Sequence, residues 1–214
     1  MSLPRSEVRY TVEEYLALER ESEERHEYLD GLIYAMAGES GEHGDICTNV
    51  TGQLYDQLRD KPCRVRSKDT KVLSGPKPRN RFSMKDLFSY PDVVVICGEP
   101  EYLDSHRDVL LNPTVIIEVL SSSTESFDRG EKFRRYREHN ASLTDYVLVS
   151  QSMLLIEHYR RQPNGEWVFV AVSGLEASLR LASINCTLRL ADVYDRVSFP
   201  VEVPGGSEAE KEPS

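Results

Sequence analysis

Two short apolar runs place the strongest constraint on how this chain can fold. They are Asp92-Val-Val-Val-Ile-Cys97 and Thr114-Val-Ile-Ile-Glu-Val-Leu120. Nearly continuous runs of β-branched residues at this length are typical of strands that are covered on both faces of a sheet. Asp92 opens the first run and Glu118 lies inside the second. The sequence therefore predicts a buried sheet that carries two acidic side chains.

Helices and hairpins are predicted around this sheet. Thr11 and Glu14 have capping-box spacing, which favours a helix that ends near Arg25. Asp30-Gly31 is a tight-turn signal between two strands. The other predicted elements are a helix at 42–58 with His43 at the start of its inner face, a polar strand at 63–73, a basic helix at 127–139, a strand at 145–149 and a hairpin around Pro163-Asn164-Gly165. This mixture predicts an α/β (α+β) fold.

Length and composition describe one ordinary globular domain. The chain has 214 residues, of which 39% are hydrophobic and 29% are charged, and these values exclude collagen-like and wholly disordered classes. We predict a single domain over 1–200 and a disordered acidic tail at 201–214. No apolar run is long enough to span a bilayer, and the first residues lack an apolar signal stretch. We expect a cytoplasmic protein without a membrane partner.

The four cysteines give no sign of a metal knuckle or a disulfide framework. Cys47, Cys63, Cys97 and Cys186 are 16, 34 and 89 residues apart, without a C-x-x-C pair. We predict that all of them are reduced thiols in the core.

Asp92 and Glu118 are the first candidates for chemistry. A carboxylate inside an apolar strand loses several kcal/mol of hydration unless it is paired or binds a metal. If the two strands are neighbours, both oxygen ligands converge at one end of the sheet and suit Mg²⁺ or Mn²⁺. Alternatively, Asp92 only starts a strand and Glu118 pairs with a basic side chain. Their separation of 26 residues does not decide between these interpretations.

Three further residues could extend such a site, and each has a plain structural alternative. Lys132 could reach back to the strand ends and orient a water or offset charge on a phosphate, or it could pair with Asp128 on a solvated helix face. Glu27 could add a carboxylate to the metal site, or be one exposed acid among many. His43 could act at the site, or be a core or capping histidine.

The charge of the chain is unevenly distributed. The net charge is −10, which argues against a generic nucleic-acid binder. Residues 59–85, however, contain ten basic and two acidic side chains. Arg64, Lys68 and Lys71 in this segment are candidates for contacts with a phosphate backbone, and a solvated basic strand is the alternative.

Several of these motifs occur together in one known family. They are Arg25-His-Glu-Tyr-Leu-Asp-Gly31, Tyr90-Pro-Asp-Val-Val-Val95, Cys97-Gly-Glu-Pro100, Pro113-Thr-Val-Ile-Ile-Glu-Val-Leu-Ser121, Ser123-Thr124, Asp128, Lys132 and Tyr136. In this order, from about Tyr10 to Val197, they closely resemble the Uma-two family, which is classed with restriction endonucleases.

This resemblance implies a restriction-endonuclease-like fold, with a mixed central sheet flanked by helices, in the PD-(D/E)XK nuclease superfamily. Asp92 and Glu118 would be the two motif acids, Glu27 the acid on their N-terminal side, and His43 a frequent histidine of the family. The superfamily lysine should stand two residues after the second acid, where this chain has Leu120. Lys132 resembles its migrated replacement.

The resemblance favours a Mg²⁺- or Mn²⁺-dependent endonuclease that hydrolyses DNA. The alternative is a catalytically weak or inactive nuclease-fold protein that binds DNA or serves assembly, since fold alone does not imply activity. Cutting both strands usually needs two sites, so we expect a homodimer, with the edge strands and the hairpin at Asn164-Gly165 as candidate contacts.

Overall fold

A computed structural model describes residues 8–36, 38–76 and 85–199. The first helix, α1 (Val12–Glu21), has the predicted capping box, in which Thr11 accepts from the Glu14 N–H and the Glu14 carboxylate accepts from the Thr11 N–H. This helix ends at Glu21 rather than near Arg25, because Ser22 has an extended backbone.

The long second helix is α2 (Gly41–Leu58), and it is capped by Ser40. The strands, in chain order, are β1 (His26–Leu29), β2 (Leu32–Ala35), β3 (Cys63–Ser67), β4 (Lys71–Ser74), β5 (Leu87–Ser89), β6 (Val93–Cys97), β7 (Val109–Leu110), β8 (Val115–Leu120), β9 (Asp145–Ser150), β10 (Leu155–Arg161), β11 (Trp167–Ser173), β12 (Ser178–Leu181) and β13 (Cys186–Arg189). The predicted hairpins at Asp30-Gly31 and Asn164-Gly165 are confirmed by the β1–β2 and β10–β11 pairs.

The central sheet has the strand order β11-β10-β9-β8-β6-β3. Its β8–β9 pair is parallel and its other pairs are antiparallel, so the sheet is mixed as predicted. A second sheet has the order β2-β1-β5-β4-β7, and β12 pairs with β13. The sequence did not predict this division into several sheets.

The polar strand predicted at 63–73 is in fact two strands in different sheets. The break comes at Lys68, whose φ of 40° lies in the left-handed region, and the Lys68 N–H donates to the Asp92 carbonyl. This turn carries the chain from β3 in the central sheet to β4 in the second sheet.

Both faces of the central sheet are buried along its inner strands β6, β8 and β9, as the apolar runs predicted. Side chains of α2 cover one face, and Phe133 and Tyr136 cover the other. The first cluster includes Ile46, Val50, Leu54, Val95 and Ile117, and the second includes Val94, Ile116, Phe133, Tyr136 and Tyr146.

The predicted basic helix is one helical stretch with an irregular centre. It consists of α3 (Glu125–Phe127), a π-helical segment (Asp128–Lys132) and α4 (Phe133–His139). Single π-helical turns are rare and often occur at functional sites. Two short elements near the end of the described residues are a 3₁₀ turn (Ala182–Ile184) and α5 (Leu190–Val193).

The prediction of four reduced cysteines is wrong for two of them. Cys63 and Cys97 stand directly opposite each other in the antiparallel β3–β6 pair and form a disulfide. Strand register, which the linear spacing does not reveal, brings these thiols together. Cys47 and Cys186 are free and buried, as predicted.

Some sequence predictions lie outside the described residues, namely the tail at 201–214 and part of the basic segment at 59–85. The domain boundaries stay a prediction. Among the residues that are described, none of the helices has the length and hydropathy needed to cross a bilayer.

Candidate active site

The register of β6 and β8 brings the two candidate acids together. Val93 pairs with Ile117 in this antiparallel ladder, and one further step of the same register sets Asp92 against Glu118. The two strands are therefore neighbours, which is the condition for both carboxylates to lie at one end of the sheet.

Asp92 is held by contacts from two directions. Its Oδ2 accepts a hydrogen bond of 2.7 Å from the Val119 N–H, and its Oδ1 lies 2.8 Å from His43 Nε2. His43 stands in the first turn of α2, where its N–H donates to Ser40 Oγ. Asp92 therefore joins the strand ends to the start of α2 and does more than begin a strand.

Glu118 is buried, with a relative exposure of 3%. Burial raises its pKa well above the ordinary value; Lys132 opposes this shift, and the carboxylates of Asp128 and Asp92 add to it. A positive charge close to this buried carboxylate favours its ionised form.

Lys132 supplies that positive charge among three carboxylates. Its Nζ lies 3.0 Å from Asp128 Oδ1, 3.2 Å from Glu118 Oε1 and 3.4 Å from Glu27 Oε1. Burial alone would lower the pKa of Lys132, but the carboxylates of Asp128, Glu118 and Glu27 outweigh it and raise that pKa well above the ordinary value. The ammonium is therefore charged at neutral pH.

The alternative of an Asp128–Lys132 pair on a solvated helix face is wrong in one respect. The pair exists, but the two side chains are only 3% and 7% exposed. Both residues belong to the π-helical segment. Tyr146 donates a hydrogen bond of 2.9 Å to the Asp128 carbonyl and fixes this segment over the central sheet.

Glu27 reaches the site from the second sheet. It lies on β1, and its Oε1 accepts a hydrogen bond of 3.4 Å from the Tyr90 N–H. Because Lys132 also contacts Glu118 of the central sheet, its contact with Glu27 connects the two larger sheets. Glu27 is partly buried and is not one of the many exposed acids.

The chemistry of these residues fits a divalent cation. Three carboxylates, Glu27, Glu118 and Asp128, surround the ammonium of Lys132, and a fourth, Asp92, lies near Glu118. Glu118 Oε1 and Asp128 Oδ1 are buried beside the Lys132 ammonium, at 3.2 Å and 3.0 Å from its Nζ. Four carboxylates beside one ammonium leave surplus negative charge, and carboxylate oxygens suit a hard cation such as Mg²⁺ or Mn²⁺.

The three basic residues predicted to contact DNA differ in their placement. Arg64 is exposed on β3, and Lys68 is partly exposed and forms an ion pair with Glu39. Lys71 is 3% exposed, and its Nζ lies 5.4 Å and 5.5 Å from the ring centroids of Tyr15 and Tyr90. Lys71 cannot contact a phosphate backbone at the surface from this position, so we correct that part of the prediction.

Sequence reasoning missed three residues of this region. The sequence predicts no role at the site for Asp128 beyond its place in the family motif and a possible pair with Lys132, because nothing in the sequence signals a π-helical turn. Glu39 and Cys47 lie close to His43 in space. The spacing of four residues between His43 and Cys47, one turn apart on a helix, was the signal that could have drawn attention to them.

Comparisons with known proteins find relatives of this chain. The profile of the Uma2 family, described as "Putative restriction endonuclease", matches residues 12–208. The uncharacterized protein slr1290 of Synechocystis sp. (strain ATCC 27184 / PCC 6803 / Kazusa) is 34% identical over 187 residues, which cover 87% of this chain and 92% of the relative. The uncharacterized protein sll1609 of the same strain is 29% identical over 172 residues, covering 80% of this chain and 92% of the relative.

A solved structure has the same fold. It is the crystal structure of a "putative nuclease belonging to DUF820" from Anabaena variabilis ATCC 29413, with a TM-score of 0.69 and 16% identity. The match covers 88% of this chain and 99% of that chain. The predicted restriction-endonuclease-like fold is thereby confirmed.

Proposed function

The chain belongs to the Uma2 family, and we propose that it is a metal-dependent endonuclease that hydrolyses phosphodiester bonds of DNA. The observation that supports this proposal most strongly is the cluster of three carboxylates around Lys132, with Asp92 beside Glu118. Such a concentration of buried charge costs folding free energy, and it is commonly found at functional sites.

Asp92 and Glu118 would hold a Mg²⁺ or Mn²⁺ ion. When bound, such an ion polarises a phosphate and lowers the pKa of a water molecule. Asp92 can serve as a fixed ligand because His43 and the Val119 N–H hold its carboxylate. Glu118 brings a second carboxylate, whose Oε1 is buried beside the Lys132 ammonium.

Lys132 would act on the substrate in this proposal. Its ammonium stays protonated and can donate a hydrogen bond to the attacking water or to a phosphate oxygen whose charge grows in the transition state. Glu27 and Asp128 would position the ammonium without contacting substrate, and His43 would position Asp92. Lys132 would thus replace the lysine that the superfamily places at position 120.

Binding and cleavage assays test the proposal together. Calorimetric titration of the wild type with Mn²⁺ should show a site that is lost in both Asp92→Ala and Glu118→Ala. Incubation with supercoiled and linear DNA and either Mg²⁺ or Mn²⁺ should give nicking or cutting that Asp92→Ala abolishes. Unchanged Mn²⁺ binding in both variants would refute the assigned ligands, and wild type that leaves DNA intact would refute the activity.

A binding or assembly module without efficient cleavage is the second candidate function. One observation favours it, because the Lys132 ammonium already lies between Glu118 and Glu27 and neutralises part of the charge that a metal would need to meet. This candidate predicts DNA binding that is independent of Mn²⁺, whereas the endonuclease proposal predicts that Mn²⁺ binds at the acids.

We also propose a homodimer that forms through β11. This strand is an edge of the central sheet, and Val168, Phe169 and Val170 are 40%, 50% and 46% exposed. Antiparallel pairing of two copies centred on Val170 would set apolar residues opposite apolar residues, without charges to oppose it. In sedimentation experiments Phe169→Glu should be monomeric while the wild type is dimeric. A monomeric wild type would refute this contact.

A further inference from the structure

We propose that Glu39, His43 and Cys47 form a second cation site that prefers Zn²⁺-type ions over Mg²⁺. One ligand atom of each side chain lies within 4.8 Å of the others. His43 and Cys47 are one turn apart on α2, and Glu39 precedes the capping residue Ser40. The Glu39 carboxylate folds back over the first turn of α2. Its Oε1 lies 3.5 Å from the point that a Cβ atom would occupy at Gly44.

The types of ligand decide which ion suits this site. A thiolate, an imidazole and a carboxylate are the donors that Zn²⁺ takes in proteins, whereas Mg²⁺ takes oxygen ligands and retains water. Three protein ligands leave one position of a tetrahedral ion for water. This set therefore differs chemically from Asp92 and Glu118, which offer only oxygen.

Asp92 connects the two sites. Its Oδ1 is 2.8 Å from His43 Nε2, and a carboxylate that contacts a histidine ligand orients the imidazole ring. The same Asp92 is a ligand in the proposed function, so an ion on His43 would change the carboxylate that the nuclease site uses. The existence of the second site does not depend on the proposed function, because its ligands are different residues.

Lys68 competes with an ion for Glu39. Its ammonium forms an ion pair with the Glu39 carboxylate, and binding of a cation by Glu39 would break this pair. Removing the ammonium should therefore strengthen binding. Loss of an ordinary surface lysine would have no such effect.

Co²⁺ alone is the probe for this site, used with the full chain and without reductant so that the Cys63–Cys97 disulfide stays closed. Co²⁺ bound to a thiolate gives a near-ultraviolet charge-transfer band. We expect this band in the wild type and in Cys186→Ser, the matched control at the other free cysteine, and its loss in Cys47→Ser. Zn²⁺ should displace Co²⁺, whereas Mg²⁺ should not.

Further variants keep the test decisive if Cys47→Ser folds poorly. Asp92→Asn should lower the Co²⁺ affinity by about 10- to 100-fold through loss of ring orientation. Lys68→Met should raise the affinity, while Lys61→Met should leave it unchanged. A band that is absent from the wild type, or that persists in Cys47→Ser, would overturn the inference.

Glu118→Gln separates this inference from the proposed function. This variant should keep the Co²⁺ thiolate band and lose the Mn²⁺ site at Asp92 and Glu118. Loss of the thiolate band in Glu118→Gln would place the thiolate ion in the nuclease site and overturn the claim of a second site.

Discussion

The Lys132 ammonium lies 3.2 Å from Glu118 Oε1, although the two residues stand fourteen positions apart on a π-helical segment and a strand. This contact brings a protonated amine to the buried acid of β8. It occurs at a position where both side chains are almost fully buried. The energetics of the site therefore depend on this pair.

Lys132→Met should destabilise the metal-free protein by about 3 to 5 kcal/mol, because it leaves carboxylates buried without their cation. A solvated Asp128–Lys132 pair would predict a loss of at most about 0.5 kcal/mol. Urea unfolding in the presence of a chelator measures it. The exposed control Lys61→Met should change the unfolding free energy by no more than about 0.5 kcal/mol.

Mn²⁺ should restore part of the stability of Lys132→Met, since a bound cation neutralises Glu118 and stabilises the folded state by mass action. Single-turnover cleavage by the metal-loaded variant should still fall by about 10² or more. A cleavage rate near that of the wild type would remove Lys132 from the chemistry and leave it a structural role.

The pH dependence of stability should report the raised pKa of Glu118. Stability from a carboxyl group whose folded pKa is raised is fully present below its unfolded pKa and is lost as the pH rises through the folded pKa. Metal-free wild type should therefore lose stability relative to Glu118→Gln as the pH rises above about 4.3, the ordinary pKa of a glutamate. The exposed control Glu176→Gln should follow the wild type, and parallel curves for wild type and Glu118→Gln would contradict the assignment.

DNA binding should depend on Arg64 and Lys68 but not on Lys71. Each neutralising change, Arg64→Gln or Lys68→Gln, should flatten the slope of log K against log salt by about 0.9 if that side chain contacts a phosphate. Lys71→Met should leave the slope unchanged, because its ammonium is buried between aromatic rings. A slope that is the same in all variants would exclude this surface from the interface.

Reduction of the Cys63–Cys97 disulfide should lower the unfolding free energy by about 3 to 4 kcal/mol, according to the chain-entropy estimate for a loop of this length. The bond spans a sequence separation of 34 residues. Cys63→Ser with Cys97→Ser should match the reduced wild type in urea unfolding. Cys186→Ser should retain the response to reductant, and a wild type without that response would show that the bond is not formed in solution.

Much of the fold could be predicted from local patterns. The apolar runs identified β6 and β8 as strands covered on both faces, and Thr11 with Glu14 identified the start of α1. These features depend on residues near one another in sequence, where burial periodicity and capping have direct signatures. The same reasoning placed the hairpins at Asp30-Gly31 and Asn164-Gly165.

The sequence by itself indicated that Asp92 and Glu118 would belong to the buried sheet, because both stand in short β-branched apolar runs that are typical of strands covered on both faces. Only the tertiary structure decided what surrounds them. Strand register opposed Cys63 to Cys97, a left-handed turn at Lys68 divided one predicted strand into two, and a π-helical turn carried Asp128 and Lys132 into the core. Each of these outcomes follows from contacts between distant segments, for which the order of residues along the chain carries no local signal.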